Sequence, residues 1–447
     1  MSQHKFDVAI VGAGASGISA AVDLAQSGVK VLLIEARDRI GGRILTRLAP
    51  NSDIVELGAE FLHGEEAAFP LTHSGLEVTE IVDDHKFFLA QEIHGEIHGQ
   101  IHGEPQFWDK LDHAFSLLRE NSHRERSFSE VSIQIADPLE RLLAETFVEG
   151  FHAADLKLIG ENGLARAAKA EESQKLYRVK RGYAAYMETL WKLTQGQAQN
   201  QAPLVIFQKS TRVQEINWAP DPSELNCKFK DGSLDFLAKK IIITVPVGVL
   251  KQNLIHSDSE TGVIQFKPTI EQKLSHLEAI EMGAATKLVF CFREPFWKKS
   301  RLGDLGFIHA PELTLPTWWS AAPVKSGVLT AWTGGPNSQK LSFLTQKELL
   351  QAALRSLCEL CEMPVQAIER QLLHWDYHNW QMDPFARGAY SYLGVGGVEA
   401  QKRFAEPVEN KLFFAGEATH TEGELGTVLA AVESGKRAAR EVLQSLK

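Results

Sequence analysis

Apolar positions change their period along this chain, and the first change comes near its start. The run Asp7-Val-Ala-Ile-Val11 is apolar beyond its first residue and of strand length, and Gly12-Ala-Gly14-Ala-Ser-Gly17 follows at once. Across residues 15–27 the apolar positions Ile18, Ala21, Val22 and Ala25 fall at helical spacing, and Gly28 stands where such a helix ends. Residues 29–35 predict a second strand. Strand, glycine turn, helix and strand within about 30 residues make a βαβ unit.

From residue 76 to 202 the pattern predicts mostly helices with charged faces, notably over 104–125 and 138–151, as a helix-rich lobe inserted into the first unit. That lobe contains a four-residue repeat, Ile93-His-Gly-Glu, Ile97-His-Gly-Gln, Ile101-His-Gly-Glu. His94, His98 and His102 can share one side of a strand, but the glycines make a poor frame for metal ligands. The repeat therefore reads as a duplicated hairpin or loop, and no metal site is expected. Residues 203–218 and 225–245 return to short β segments, 270–377 form a second mixed stretch, and the chain closes with a strand at 412–415 and a helix at 427–446. The order predicts two interleaved domains. One, over 1–75, 203–264 and 386–447, binds a dinucleotide; the other, over 76–202 and 265–385, faces the substrate.

Composition narrows the picture. A chain of 447 residues is too long for one core, and 44% hydrophobic with 23% charged residues describes an ordinary globular protein. The net charge of −10 is spread along the chain, which argues against nucleic acid as a partner. The start of the chain runs directly into a strand and no apolar window is long enough for a membrane span, so a cytoplasmic protein without membrane contact is expected. Cys358 and Cys361 form a CxxC pair inside a helical stretch, 348–362, where they read as small apolar residues on a helix face and not as a redox pair. No G-x-S-x-G or HExxH pattern supports a hydrolase.

The glycine turn carries the first candidate chemistry. Gly12 permits the tight turn, Gly14 lets the backbone approach a pyrophosphate, and Gly17 allows helix and strand to pack closely. Ala15 and Ser16 open the helix, whose N–H groups and dipole favour an anion there. Glu35, at the tip of the second strand and followed by Ala36 and Arg37, is placed to accept hydrogen bonds from ribose hydroxyls. NAD and FAD share this ADP half, so the turn does not choose between them.

The residues that follow do choose. Arg37-Asp-Arg-Ile-Gly-Gly42-Arg43, together with Glu56-Leu-Gly58-Ala59, resembles the flavin-containing amine oxidases, the family of monoamine oxidases, polyamine oxidases and histone lysine demethylases. Further blocks carry the resemblance: Thr211-Arg-Val213, Ile241 to Leu250 with Thr244-Val245-Pro246, Gly283 to Phe292 with Lys287, and Lys411-Leu-Phe-Phe-Ala-Gly416-Glu417 followed by Gly426-Thr427-Val428. The resemblance implies a Rossmann-like FAD-binding domain of the GR2 type interleaved with an α+β substrate domain. It implies FAD contacts from Val213, Glu60 and Trp380, from Glu417, and from the backbone at Thr427 and Val428, where a helix N-terminus favours the charge on reduced flavin.

For turnover the resemblance assigns Lys287 to a water at flavin N5 and Tyr390 to an aromatic wall over the flavin. Ala389 stands where monoamine oxidases carry the cysteine that bonds FAD, so FAD is expected to bind non-covalently. Thr427 stands where they carry a second cage tyrosine, leaving the cage half made. Thr427 and His63 look more like polyamine oxidases and demethylases than like monoamine oxidases, with His63 bonding a substrate nitrogen or tuning its protonation, since histidine titrates near neutral pH, or serving as a loop histidine satisfied by backbone. Glu60 and the pair Glu171-Glu172 offer charge for a polycation, the pair also suiting a solvated helix face. The implied reaction is hydride transfer from the amine α-carbon to flavin N5, giving an imine that hydrolyses to an aldehyde or ketone, while O2 becomes H2O2; a polyamine is favoured over a simple monoamine. Two rivals remain: an FAD desaturase or protoporphyrinogen-type oxidase of an apolar molecule, and a flavin-binding interaction scaffold. The oligomeric state is unknown from sequence.

Overall fold

The structure, a computed structural model, describes residues 5–65, 75–82, 84–93, 96–102, 104–119, 123–171, 175–195, 204–230, 232–255, 262–422 and 425–447. Strand β1 (Lys5–Val11), helix α1 (Ala15–Gln26) and strand β2 (Val31–Ile34) form as the sequence predicts. Both strands are apolar without alternation because each is covered on both faces: Val8, Ala9, Ile10, Val31, Leu32 and Leu33 have no solvent exposure. β1 pairs in parallel with β2 and with Gly232–Ile243.

These strands belong to an eight-stranded sheet in the order Val205–Gln208, β2, β1, Gly232–Ile243, Ser223–Phe229, Arg212–Asn217 and Gln265–Lys267, with Leu412–Phe414 also paired to Gly232–Ile243. The long strand Gly232–Ile243 serves two partners on one edge. Its first half pairs antiparallel with Ser223–Phe229, and Ile241–Ile243 pair in parallel with Leu412–Phe414. The last helix, Val428–Ser445, lies against α1, where Ser19 Oγ donates to Val432 O at 3.0 Å.

A second sheet has seven strands, in the order Leu372–Tyr377, Ala285–Phe292, Val328–Gly334, Thr317–Ser320, Phe307–His309, His85–Ile93 and Glu96–His102. Ala285–Phe292 is buried at every position. Alternation along a strand explains how. Leu288, Phe290 and Phe292 join the core of helix Gln346–Cys361, with Leu349, Ala353 and Leu357. Val289 and Cys291 point to the opposite face, against Val55 and Leu57, and Lys287 shares that parity.

Elements of the helix-rich lobe include Glu104–Phe115, Pro138–Phe151 and Glu161–Glu171. Asp137 caps the second by accepting from Leu139 and Glu140 N–H, with Pro138 in its first turn. The helix expected over 104–125 stops at Phe115. Beyond it Arg119 and Arg126 are drawn onto the fully buried carboxylate of Glu161, the latter at 2.6 Å, and this tertiary ion pair overrides the helical pattern.

The repeat lies on the hairpin of His85–Ile93 and Glu96–His102, paired antiparallel; His94 lies outside the described residues, as does Glu172 of the acidic pair. Cys358 and Cys361 are free thiols on helix Gln346–Cys361, and burial pushes Cys361 up to about 12, which suits packing and not redox exchange. Among the described residues no helix is long and apolar enough to cross a membrane, and no group of His, Cys, Asp and Glu has metal-site geometry.

Candidate active site

A cavity of about 1010 Å³ begins at the carboxyl ends of β1 and β2 and extends over the face of the second sheet that carries Lys287. At the nucleotide end its wall includes Gly12, Gly14, Ala15, Ser16, Glu35, Ala36, Arg37, Gly42 and Arg43, then Val213, Thr244, Val245 and Pro246. Gly58, Ala59, Glu60, Trp380, Gly416, Glu417, Gly426, Thr427 and Val428 complete it, and His63, Lys287 and Tyr390 lie on it too. Gly17 is the exception among the predicted residues. It lies behind the wall, where a Cβ would stand 1.9 Å from Gly12 O, so its glycine serves the close contact of helix and turn.

The nucleotide end fits a dinucleotide. Gly12 holds φ of +113°, and a Cβ there would stand 2.5 Å from Thr244 Oγ1. Gly14 is the N-cap of helix α1 and supplies no side-chain acceptor, and Gly14, Ala15 and Ser16 lie on the cavity, so the helix start is open to an anion. Glu35 is buried and oriented by N–H donors, Ala13 at 2.8 Å and Arg37 at 2.9 Å. The arginine loop docks beside the turn through Gly41 N–H to Ala13 O at 2.8 Å, and Arg39 braces it by donating to the carbonyls of Ile40, Gly42 and Ile44.

At the other end of this half, Glu417 Oε1 accepts from Arg43 at 2.8 Å and its Oε2 accepts from Ser391 Oγ at 2.5 Å. Thr427 is the N-cap of the last helix, its hydroxyl accepting from Ala430 N–H at 3.0 Å. The hydroxyl at the expected second cage position is thus committed to capping. None of the four cysteines lies on the cavity, which agrees with FAD held without a covalent thioether.

Around Lys287 the geometry is tight. Its Nζ donates to Glu60 Oε2 at 2.5 Å and to Gly58 O at 3.2 Å. Glu60 Oε1 accepts from Arg178 Nη2 at 2.7 Å and Nε at 3.0 Å, and from the Trp319 indole N–H at 3.2 Å. Burial alone raises the Glu60 carboxyl, but the charges of Lys287 and Arg178 outweigh it and hold the group down to about 2. Glu60, expected to draw a polycation, instead spends both oxygens on its own protein.

Tyr390 donates its hydroxyl to Phe151 O at 2.5 Å, and its ring lies within 13° of parallel to that of Trp332, centroids 6.5 Å apart. Trp332 is anchored by its indole N–H on Gly150 O at 2.9 Å. The wall facing Tyr390 is therefore a tryptophan from the strand beside Lys287, which the sequence reading missed. No local signal marks Trp332, because only the pairing of Lys287 with Trp332 across two strands brings it there.

His63 ends the short strand Phe61–His63, with its ring edge-on to Phe151 at 6.4 Å. Burial pushes it down to about 4, so the ring is neutral at neutral pH, contrary to the expected titration there. Glu56, behind the site, is raised to about 7 by burial despite hydrogen bonds from Tyr183 N–H at 2.6 Å and Thr46 Oγ1 at 2.8 Å.

The family described as flavin containing amine oxidoreductase matches residues 15–443. Similar curated proteins include lysine-specific histone demethylase 2 of Homo sapiens, 26% identical across 98% of this chain and 53% of that protein, so the chain spans about half its length. Probable polyamine oxidase 4 of Arabidopsis thaliana is 26% identical across 98% of this chain and 88% of its own. Among solved structures, wild-type putrescine oxidase bound to putrescine superposes with a TM-score of 0.78 at 21% identity, covering 98% of this chain and 99% of that one, a likeness of fold.

Proposed function

The chain belongs to the flavin-containing amine oxidoreductase family, with FAD as its cofactor, and we propose that it oxidises a small amine at the carbon beside nitrogen, with O2 as electron acceptor. The observation that carries this reading is the meeting on one cavity of the glycine turn after Val11, the start of the last helix, and the pair Lys287 and Tyr390. FAD bound there supplies two-electron oxidation of the C–N bond. The turn and the uncapped start of α1 would hold the pyrophosphate, Glu35 would take the ribose hydroxyls, and Val213 would meet the adenine. Thr427 and Val428, at the start of the last helix, would offer backbone N–H groups to the ring system.

The remaining residues handle the amine. Tyr390 and Trp332 wall the amine in and exclude water, and neutral His63 offers a nitrogen to the amine. Lys287, fixed by Glu60, presents an ammonium that orients a water. The product imine leaves the aromatic walls and hydrolyses to a carbonyl compound and a smaller amine or ammonia. In this reading segments 1–75, 203–264 and 386–447 carry the cofactor, and 76–202 with 265–385 carry the substrate face.

The substrate read from the walls is an amine with an apolar body. Beyond Lys287 the cavity is lined by Phe61, Phe115, Phe147, Phe151, Trp319 and Trp332. A polyamine is the second reading, and the exposed Asp112 on the cavity wall is what favours it, since the other described wall carboxylates, Glu35, Glu60 and Glu417, all accept protein hydrogen bonds.

The test is peroxide release, with loss of the flavin's visible absorbance under nitrogen, across monoamines, diamines, polyamines and amino acids. Bleaching by one amine class supports the reading and names the class. A pure protein that stays colourless with added FAD, or that is reduced by nitrogen-free apolar molecules alone, overturns it.

A further inference from the structure

We propose that the wall around His309 is a subsite for a neutral hydrogen-bonding group, such as a hydroxyl, at the far end of the substrate amine. The inference rests on the amine-oxidising reading above and goes beyond it by assigning residues and a ligand chemistry to a stretch of wall that this reading leaves unused.

The sheet register sets the distance. Lys287 stands opposite Trp332, Trp332 opposite Thr317, and Thr317 opposite His309, one straight row across four strands. All four residues lie on the cavity, so the row is its floor. Neighbouring strands are ~4.8 Å apart, which puts His309 roughly 14 Å from Lys287. Trp332 occupies the row between them, with Trp319 and Phe307 beside it on the same wall, a surface for methylene or aromatic carbon.

The chemistry at the far end differs. His85 Nδ1 and His309 Nε2 share a hydrogen bond of 2.9 Å. The His309 ring stacks on Phe107 and the His85 ring on Phe307, each with centroids 4.6 Å apart. Burial, and then the neighbouring His85, push His309 well below its ordinary value, so it is neutral. Whichever ring donates in the shared bond, the outer nitrogen of His309 remains a hydrogen-bonding atom, and it has no protein partner among the described residues. Thr317 adds a hydroxyl on the next strand.

A neutral imidazole and a hydroxyl satisfy an alcohol or amide without charge. A second ammonium lodged there loses its water against uncharged rings and is penalised. The nearby carboxylate, Asp112 on helix Glu104–Phe115, is exposed to solvent, where an ion pair contributes little.

The experiment uses the FAD-loaded protein with three straight-chain series of rising length: alkylamines, ω-hydroxyalkylamines and α,ω-diamines. At one chain length the hydroxyl compound is expected to exceed the plain alkylamine by about tenfold in kcat/KM, the worth of a hydrogen bond at the upper end of the usual range. That ratio is expected to fall to about one in His309→Phe and to drop partway in Thr317→Val. His309→Leu, which also lacks a hydrogen-bonding atom, serves if the phenylalanine variant loses its flavin spectrum.

A maximum for diamines at that length overturns the subsite, as does a hydroxyl preference that is absent or survives both substitutions. In those cases amines still bleach the flavin, and the broader reading stands. Failure of every amine to bleach it overturns both.

Discussion

Lys287 Nζ and Glu60 Oε2 lie 2.5 Å apart, although 227 residues separate them in sequence. A lysine in the fully buried strand Ala285–Phe292 is unfavourable unless its charge is answered, and Glu60 answers it. The glutamate is satisfied in turn by Arg178 and Trp319, so the cluster is complete, with two cations around one carboxylate.

Removing the carboxylate exposes that balance. Glu60→Gln leaves Lys287 and Arg178 as close like charges in a buried site, and the protein is expected to lose about 3–5 kcal/mol of stability. Urea unfolding measures it. Lys287→Met made in the same chain should recover part of the loss, because it removes the stranded cation. Glu60 sits at about 2, below its unfolded value, so its contribution is present above the unfolded value and fades as pH falls toward 2.

Lys287→Met by itself tests the reactive end. Anaerobic reduction and aerobic reoxidation are read separately by stopped flow, and one of the two is expected to slow by about 100-fold, in line with loss of a positioned charge. Unchanged rates in both half-reactions remove Lys287 from turnover and favour the desaturase alternative.

Glu56 and His63 predict opposite responses to pH. Glu56, raised from 4.5 to about 7 by burial, keeps its proton in the folded state, so its contribution is full below 4.5 and is lost as pH rises through about 7. Glu56→Gln should therefore gain melting temperature relative to the parent between weakly acid and weakly alkaline buffer, by the equivalent of up to about 3 kcal/mol. His63, lowered from 6.5 to about 4, acts the other way: the unfolded chain takes the proton first, and stability falls as pH drops from 6.5 toward 4. A kinetic limb near neutral pH is accordingly expected to persist in His63→Gln; its disappearance assigns that limb to His63.

Trp332 and Thr427 are expected to separate binding from stability. Trp332→Ala removes the ring parallel to Tyr390 and should raise KM about tenfold or more in the folded, flavin-loaded protein, given the weight of an aromatic anchor in a pocket. Thr427→Ala removes the cap on Ala430 N–H and should cost about 1 kcal/mol of stability. The reverse pattern, a KM effect from Thr427 and none from Trp332, contradicts the cavity described above.

What the sequence determined by itself is local. The apolar runs of β1 and β2, the glycines between them and the helix that follows are legible because a buried parallel strand needs continuous apolar residues and a tight turn needs Gly12. The motifs whose residues are neighbours in the chain supply the residues of one cavity wall, and Gly17 alone of those named lies behind it. The end of the helix after Phe115 was not legible, because two arginines distant from Glu161 in sequence decide it. The partner of Lys287, the ring opposite Tyr390 and the pairing of His85 with His309 were likewise hidden. Each is set by which residue of one strand stands opposite which residue of another, and periodicity along a strand fixes the face of a side chain but not its neighbour across the sheet.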